Sequence, residues 1–582
     1  MNDNPASSWT SKIRQLGADA RFAYTTIFLL QLKILWGIWQ AQDLTGGDTS
    51  GYFAQAVDFF QRGKVDIAWS PLYTMFCGLL LHLSNDAFIN IILQRLFISL
   101  TISVLFLALL RRLLPKELAW FVAVWWVVLP INFNPRYEVH EFAVIPVLCV
   151  WLISLCKNKT VARVGTSTAF WLTATLMRNE LTVAAFLFTS ISIGYEVYAH
   201  RKTIHRTLVK ALIPYVIAAL SVVAIVSGMY SISNTQGKEL ALDFHIKHTL
   251  NVCQVYAYNY QQRHPDLIKD PWSECGELAK KTFGTEDLSL IHAIMVNPKA
   301  MLQFFTWNIH LIPNGLEVLL FNVAATGDNP DYSPIRVSFW RATLLGTLVC
   351  MLLISGLVLT IVQRQSLWTS YGKERIWCFI AMACVASTSL IVMLTQRPRP
   401  SYIFTFGMIL MFLSGFSVWR LFRPNLSRES LRSLCAPAMC IVLLTVPWYY
   451  LNKLKHSTNW DQYYAEEYHL LKPWSKALTR DNKNVLVQTE YTDGLSAYLY
   501  GLGPPRGSFF IRRISDFKTD LDKSSFDEVA KKENIWWLLT DEWSHPEPAF
   551  KGFVPGSAPK GWELMAMQKC RFGRLLLFRR KS

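Results

Sequence analysis

The sequence is interrupted at intervals by apolar runs of about 20 residues, the length at which one helix crosses the hydrocarbon core of a bilayer. These runs lie at 22–40, 92–110, 117–133, 142–156, 165–198, 207–232, 339–362, 376–395, 402–420 and 433–451. The run 165–198 is long enough for two crossings, with a turn near Arg178-Asn179-Glu180. In lipid a backbone amide must be satisfied within its own segment, so the runs predict a bundle of about eleven transmembrane helices. Only 17% of residues are charged, against about 25% in a soluble domain, which supports a polytopic α-helical membrane protein.

Lys and Arg fix the direction of threading. They cluster at Lys12, Arg14 and Arg21, at Arg111-Arg112, at Lys157 and Lys159, at Arg201-Lys202, and at Arg364, Lys373, Arg375, Arg420, Arg423, Arg428 and Arg432. With alternating crossings all of these fall on one side, the cytoplasmic one by the positive-inside rule. The net charge of +17 is therefore a topology signal rather than a nucleic-acid footprint, and the 22 Trp suit interfacial belts. No nucleic acid is expected as a partner. No small-residue cleavage site follows 22–40, so that run reads as an anchor.

Three regions follow: a cytoplasmic N-terminus at 1–21, a transmembrane domain at 22–451 and an extracytoplasmic tail at 452–582. Outer loops fall at 41–90, 134–141 and 233–338, with a short outer turn at 396–401. In the first loop, Tyr52 to Arg62 reads as an interfacial helix and Leu72 to Leu83 as a half-buried one. The tail is long enough for a domain of its own. Val485 to Val487, Ile535 to Leu539 and Arg574 to Phe578 read as strands of a small α/β domain, with no Gly-rich phosphate loop after them. No internal repeat is visible, which argues against a repeat-built transporter.

Cysteine and histidine are quiet. Most Cys lie in apolar runs as packing residues. Cys253 and Cys275 share the long outer loop, where an oxidising compartment would permit a bridge. Sequence alone leaves that open, because it cannot give the geometry. No Cys/His spacing resembles a zinc site, so no metal ligand and no cofactor is assigned. A divalent metal held by carboxylate and His stays open.

The ionisable candidates gather on the outer side. Asp48 lies in Gly46-Gly47-Asp48-Thr49-Ser50-Gly51, directly after the first run and ahead of Ser70-Pro71-Leu72-Tyr73. It suits helix capping as well as chemistry. The segment Pro135-Arg136-Tyr137-Glu138-Val139-His140-Glu141 sets two carboxylates and a His before a crossing. Arg397, Arg399 and Tyr402 lie at a membrane boundary, where arginines also snorkel or meet lipid head groups. Arg178 and Glu180 interrupt an apolar hairpin, where ionisable groups are costly. Either they form a structural pair or they act on a ligand.

In order of parts, residues 20–420 resemble the C-type (GT-C) superfamily of integral-membrane glycosyltransferases, which includes protein O-mannosyltransferases and lipid A aminoarabinose transferases. The resemblance rests on Asp48 in the first outer loop, the Pro-Leu-Tyr of Pro71 to Tyr73, Arg95 early in the next run, and Arg136 with Glu141 five positions on. Met177-Arg178-Asn179-Glu180 and the Arg399 to Tyr402 turn complete it. The sequence departs from the pattern in Ser70 for the first of two prolines, Trp69 for a lysine, a single Asp48 for an acidic pair, and Glu141 for Asp. These departures leave the sugar undetermined.

The resemblance implies transfer of a sugar from a polyprenyl-phosphate donor to a glycan, lipid or protein acceptor, with inversion, on the periplasmic face of a bacterial inner membrane. It implies Asp48 or Glu141 as catalytic base. It implies Arg136, Glu138, Tyr73, Arg178, Arg397, Arg399 and Tyr402 as substrate-binding residues. A phosphate leaving group needs little protonation, whereas a hydroxyl nucleophile gains about 10²–10⁴-fold from a base. A guanidinium suits the departing phosphate through its bidentate fork. Two other classes fit the composition: a secondary transporter, and a non-catalytic assembly protein of the cell envelope. A transporter would place polar groups at mid-bilayer on broken helices; here they gather at one surface.

Overall fold

The computed structural model describes residues 16–38, 49–68, 70–84, 87–129, 138–201, 205–233, 236–331, 335–362, 373–422, 470, 472–474, 485–488, 510–513, 525–541, 550, 552–570 and 573–581. In chain order the helices are α1 (Ala20–Leu35), α2 (Thr49–Arg62), α3 (Pro71–Leu81), α4 (Ala87–Leu113), α5 (Lys116–Val127), α6 (Glu138–Phe142) and α7 (Val144–Ser154). Then come α8 (Thr166–Leu176), α9 (Thr182–His200), α10 (His205–Ser231), α11 (Gly237–Arg263), α12 (Cys275–Phe283), α13 (Leu290–Val296) and α14 (Pro298–Phe321). Three apolar helices follow, α15 (Phe339–Val362), α16 (Lys373–Thr395) and α17 (Phe404–Phe422), and a last short helix, α18 (Phe526–Lys532), lies in the tail. The chain divides into two compact units, 1–35 with 98–453 and 36–97 with 454–582.

The first unit is a bundle of apolar helices. Six helical segments of the described chain are long and apolar enough to cross a membrane, from Ile92–Leu113 to Phe404–Leu421. Apolar helices also stand at the shorter predicted runs 22–40, 117–133 and 142–156, while 433–451 lies outside the described residues. Thr207–Ser231 has a mean hydropathy of 2.3, yet only 6% of its most apolar window is covered by protein. A helix apolar on every side and covered on almost none is stable only in lipid. The chain is an integral membrane protein.

Aromatic rings and small residues hold the bundle. Trp125, Trp126 and Trp151 are fully buried. Trp126 meets Phe106 and Phe404 edge-on, and Trp125 stacks on Phe321 of α14. A methyl at Gly356 of α15 would lie 1.8 Å from Ser417 Oγ of α17, so those two backbones approach closely, as small residues allow between membrane helices. Ser103 donates to Gln31 at 2.8 Å in the buried seam between α1 and α4. A hydrogen-bonded pair of this kind is the usual polar join inside a bilayer. Arg163, on a π-helical turn at Val161–Gly165, pairs with Glu196 of α9 between the rings of Tyr195 and Trp377.

The predicted outer loop 233–338 is mostly helix. Its polar α11 and amphipathic α12 pack with α13 and α14 around Tyr256, Phe283, Leu288 and Phe304. The apolar-run criterion passes over these helices because they bury one face against each other rather than all faces in lipid. α14 then lies against α15, α16 and α17. A Cβ at Gly315 would fall 2.1 Å from the Pro398 carbonyl oxygen, so this glycine lets the turn at 396–401 rest on the helix backbone.

In the second unit α2 packs on α3, Gly78 admitting the Ala56 carbonyl and the Phe59 ring. Tyr73 of α3 is buried, takes a hydrogen bond from Gln94 and stands edge-on to Tyr52 at 5.3 Å. Ser70 enters α3 at φ 45, a left-handed conformation uncommon for a residue other than glycine and against the extended preference before proline. The tail holds a five-stranded sheet of β1 (Val485–Gln488), β2 (Phe510–Arg513), β3 (Ile535–Asp541), β4 (Trp562–Cys570) and β5 (Gly573–Arg580), in the order β2-β1-β3-β5-β4. The first three are parallel and the last two antiparallel. Helix α18 starts on a Ser525–Glu528 capping box and buries Phe526, Val529 and Ala530 with Phe550, Phe553 and Phe578.

Candidate functional site

Arg178 occupies a break in an apolar hairpin. α8 ends at Leu176, Arg178 is extended (φ −141, ψ 103), and a 3-10 turn at Asn179–Leu181 leads into α9. The Arg178 Nε donates to Glu180 Oε1 at 2.7 Å and its Nη2 donates to the same oxygen. Its Nη1 meets His140 Nδ1 of α6. Arginine can only donate, so in a hydrogen bond of this pair the imidazole nitrogen is the acceptor. The sequence left open a mutual pair or a ligand role; the pair is formed, and the guanidinium reaches two further groups.

Tyr402 is the hub beside it. Its ring stands edge-on to His140 at 5.0 Å, with the Arg178 guanidinium carbon 5.5 Å and that of Arg399 5.9 Å from its centroid. An aromatic face attracts cations at such distances, which eases the approach of two like charges. Arg399 donates to Asp331 Oδ1 at 2.9 Å, and Arg397, almost wholly buried, lies 4.2 Å over the Tyr258 ring. The Tyr258 hydroxyl donates to the Asp331 carbonyl oxygen at 2.7 Å. Burial pushes the Tyr258 phenol up against the lowering pull of Arg397 and Arg399, so it remains a donor at neutral pH.

Arg178, Glu180, His140 and Tyr402 border a cavity of about 50 Å³, with Thr388, Ser389 and Ser401 also on its polar side and Val144, Val147 and Val392 on its apolar side; Arg397, Arg399, Asp331 and Tyr258 stand outside its lining. That volume accommodates a few waters or one small anion, at about 10–15 Å³ per water-sized site. Glu141 is fully buried in α6, next to His140 in sequence. Glu138 begins the same helix. Asp48 and Arg136 lie outside the described residues. Tyr73 and the fully buried Arg95 belong to the other unit. Thus Arg178, Arg397, Arg399 and Tyr402 come together with His140, which the sequence set among the ionisable candidates without a role, and the sequence reading missed Asp331, Tyr258 and Gly315 beside them. Only Gly315 carried a signal, a Pro313-Asn314-Gly315 inside an apolar stretch, which reads as a breaker although α14 runs through it. Among the described residues no group of three or more His, Cys, Asp or Glu is placed to hold a metal ion.

No family model matches the sequence, and no curated protein matches it. Among solved structures, the chain is similar to the oligosaccharyltransferase of Archaeoglobus fulgidus crystallised with Zn and sulfate. The identity is 12% and the TM-score 0.46, over 89% of this chain and 68% of that one. It is also similar to ArnT from Cupriavidus metallidurans in the apo state, at 12% identity and a TM-score of 0.40, over 96% of this chain and 98% of that one. At 12% identity no residue's role passes from either protein to this chain.

Proposed function

We propose that this chain is a C-type membrane glycosyltransferase. It moves a sugar from a polyprenyl-phosphate donor to a glycan, lipid or protein acceptor, on the periplasmic face of a bacterial inner membrane and in the service of the cell envelope. The Arg178 turn carries the reading. Its guanidinium sends two N–H groups to one carboxylate oxygen of Glu180, an acceptor geometry that a phosphate oxygen reproduces. Hydroxyls of Thr388, Ser389 and Ser401 line the same cavity and suit the remaining phosphate oxygens, while its valine wall suits the first carbons of a lipid chain.

The reaction follows from these groups. The acceptor hydroxyl oxygen attacks the anomeric carbon on the face opposite the phosphate. The bond from that carbon to the phosphate oxygen breaks, and its electron pair leaves with the polyprenyl phosphate, so configuration inverts. The hydroxyl proton passes to a carboxylate, Asp48 first and Glu141 second. Arg178, Arg397 and Arg399 stabilise the charge that grows on the departing phosphate. Tyr402 orients two of these guanidinium groups; Arg136, Glu138 and Tyr73 complete substrate binding in this reading.

The test is donor binding by the purified protein in nanodiscs, read with a photoreactive polyprenyl phosphate. The reading expects a crosslink within 140–147, 178–181 or 388–405. No lipid-phosphate binding, together with uptake of a soluble solute into vesicles, would establish a transporter instead.

A further inference from the structure

Two thiols of the helical subdomain between Gly237 and Phe321 take no part in this site. Cys253 lies in the middle of α11 and Cys275 is the first residue of α12, and both are buried. They belong to one apolar core with Tyr256, Leu278, Ala279 and Phe283. Between them the chain leaves α11 at Arg263, passes through turns at 264–274, and returns to lay α12 against α11. The return places both sulfurs in that one buried core, as free thiols close enough for Cys275 to act on the titration of Cys253. The other described cysteines, Cys77, Cys149, Cys156, Cys350, Cys378 and Cys384, lie in the apolar helices or at their ends.

We infer that Cys253 and Cys275 are a disulfide site, oxidised in the mature protein and closing the excursion between α11 and α12. The site needs an oxidising compartment, which the charge pattern supplies by placing 233–338 on the side opposite the Lys- and Arg-rich loops. The chemistry is thiol–disulfide exchange with a disulfide-bearing oxidant. One protein thiolate attacks the oxidant's disulfide and expels one of its sulfurs as a thiolate. The second protein thiolate then attacks the mixed disulfide, forms the Cys253–Cys275 bond and expels the other. Two protein protons and two electrons end on two oxidant thiols, so the exchange balances.

Burial also sets when the bond forms. It pushes the Cys253 thiol well above the usual range, and Cys275 beside it adds to that. The attacking species is the thiolate, so the folded, reduced pair is a poor nucleophile. Oxidation therefore belongs to folding, before α12 seats on α11. Once formed, the bond ties α12 to the helix that carries Tyr258, five residues beyond Cys253 and in contact with Arg397. In the unfolded chain it closes a loop and so removes conformations from that state.

The experiment is alkylation of full-length protein, purified from its own membrane without reductant, unfolded in detergent and treated with N-ethylmaleimide before and after reduction. The expected result is that the peptides bearing 253 and 275 travel as one crosslinked species, about 2 Da lighter than the dithiol, and take the label only after reduction. Labelling of both before reduction overturns the inference, and these are then plain packing residues. In Cys253→Ser the thiol of Cys275 should be labelled without reduction; continued protection shows a different partner and likewise overturns it. Reduced native protein exposed to oxidised glutathione should re-form the bond at least tenfold more slowly than the same protein in urea. Equal rates would overturn the folding-stage assignment.

Discussion

Nε of Arg399 donates to Oδ1 of Asp331 across 2.9 Å, joining a turn between two apolar helices to a loop 68 residues earlier. Both side chains are mostly enclosed, at 14% and 6% exposure. The helical subdomain of α11 to α14 is thereby fastened to the turn that carries the clustered arginines.

Breaking that link should cost stability out of proportion to its size. Removing one partner of a buried pair costs about 3–5 kcal/mol, because the remaining charge loses its compensation. Asp331→Ala should therefore lower the thermal midpoint of the detergent-solubilised protein clearly. The double variant Arg399→Met, Asp331→Leu should recover much of the loss. A double variant no better than the single would show that the pair's charge is not what matters.

Gly315→Ala probes position without touching a charge. The added methyl meets a backbone carbonyl at 2.1 Å, which cannot rotate away as a flexible side chain could. Overpacking of this kind costs about 1–3 kcal/mol. The Pro398 turn must move, taking Arg397 and Arg399 with it, so lipid-phosphate binding should weaken as well. Stability and binding both at wild-type values would mean that the turn does not rest on α14 in the membrane.

Arg178→Ala should weaken polyprenyl-phosphate binding by roughly ten- to a hundredfold, the value of about 1.5–3 kcal/mol for a charge-assisted contact. Arg178→Lys should rescue only part, since the ammonium keeps the charge and loses the fork. Glu180→Gln should tighten binding, because the carboxylate that competes with the phosphate for Arg178 is gone. Weaker binding in Glu180→Gln would assign Glu180 to holding the guanidinium in place.

Asp48→Asn keeps size and most hydrogen bonding but cannot take a proton at neutral pH. Under the proposed mechanism transfer should fall by at least about a hundredfold while donor binding and folded yield stay near wild type. If transfer survives in Asp48→Asn and is lost in Glu141→Gln, the base is Glu141.

Features that depend on one local pattern were legible in the sequence. The run 339–362 forms a helix with those bounds, and the break between α8 and α9 falls at the predicted Arg178-Asn179-Glu180. Of the strands, 485–488, 535–541 and 573–580 cover those expected, whereas 510–513 and 562–570 were not foreseen. Phe510 to Arg513 has too few residues for alternation to register, and Trp562 to Cys570 reads as well as a helix. The site was half visible. Arg178, Arg397 and Arg399 stood out because ionisable groups near lipid are costly. Tyr258 and Asp331 gave no signal, because their role comes from a long-range return of the chain past Pro398 that no window of sequence contains.

The nearly bare α10 sets a different kind of constraint on this chain. At about 1.5 Å per residue its 25-residue apolar span is roughly 37 Å long, more than the ~30 Å of hydrocarbon it must match. Among the described residues it packs on α8 and α9 over only a small part of its surface, and a span longer than the hydrocarbon is met by tilting, kinking or local thickening of the bilayer. Its residues answer to the lipid rather than to partners, so Val216, Leu220 and Val223 are interchangeable with other apolar residues. What drift in this segment must preserve is length and greasiness, while Gly356 or Gly315 must preserve an atom count.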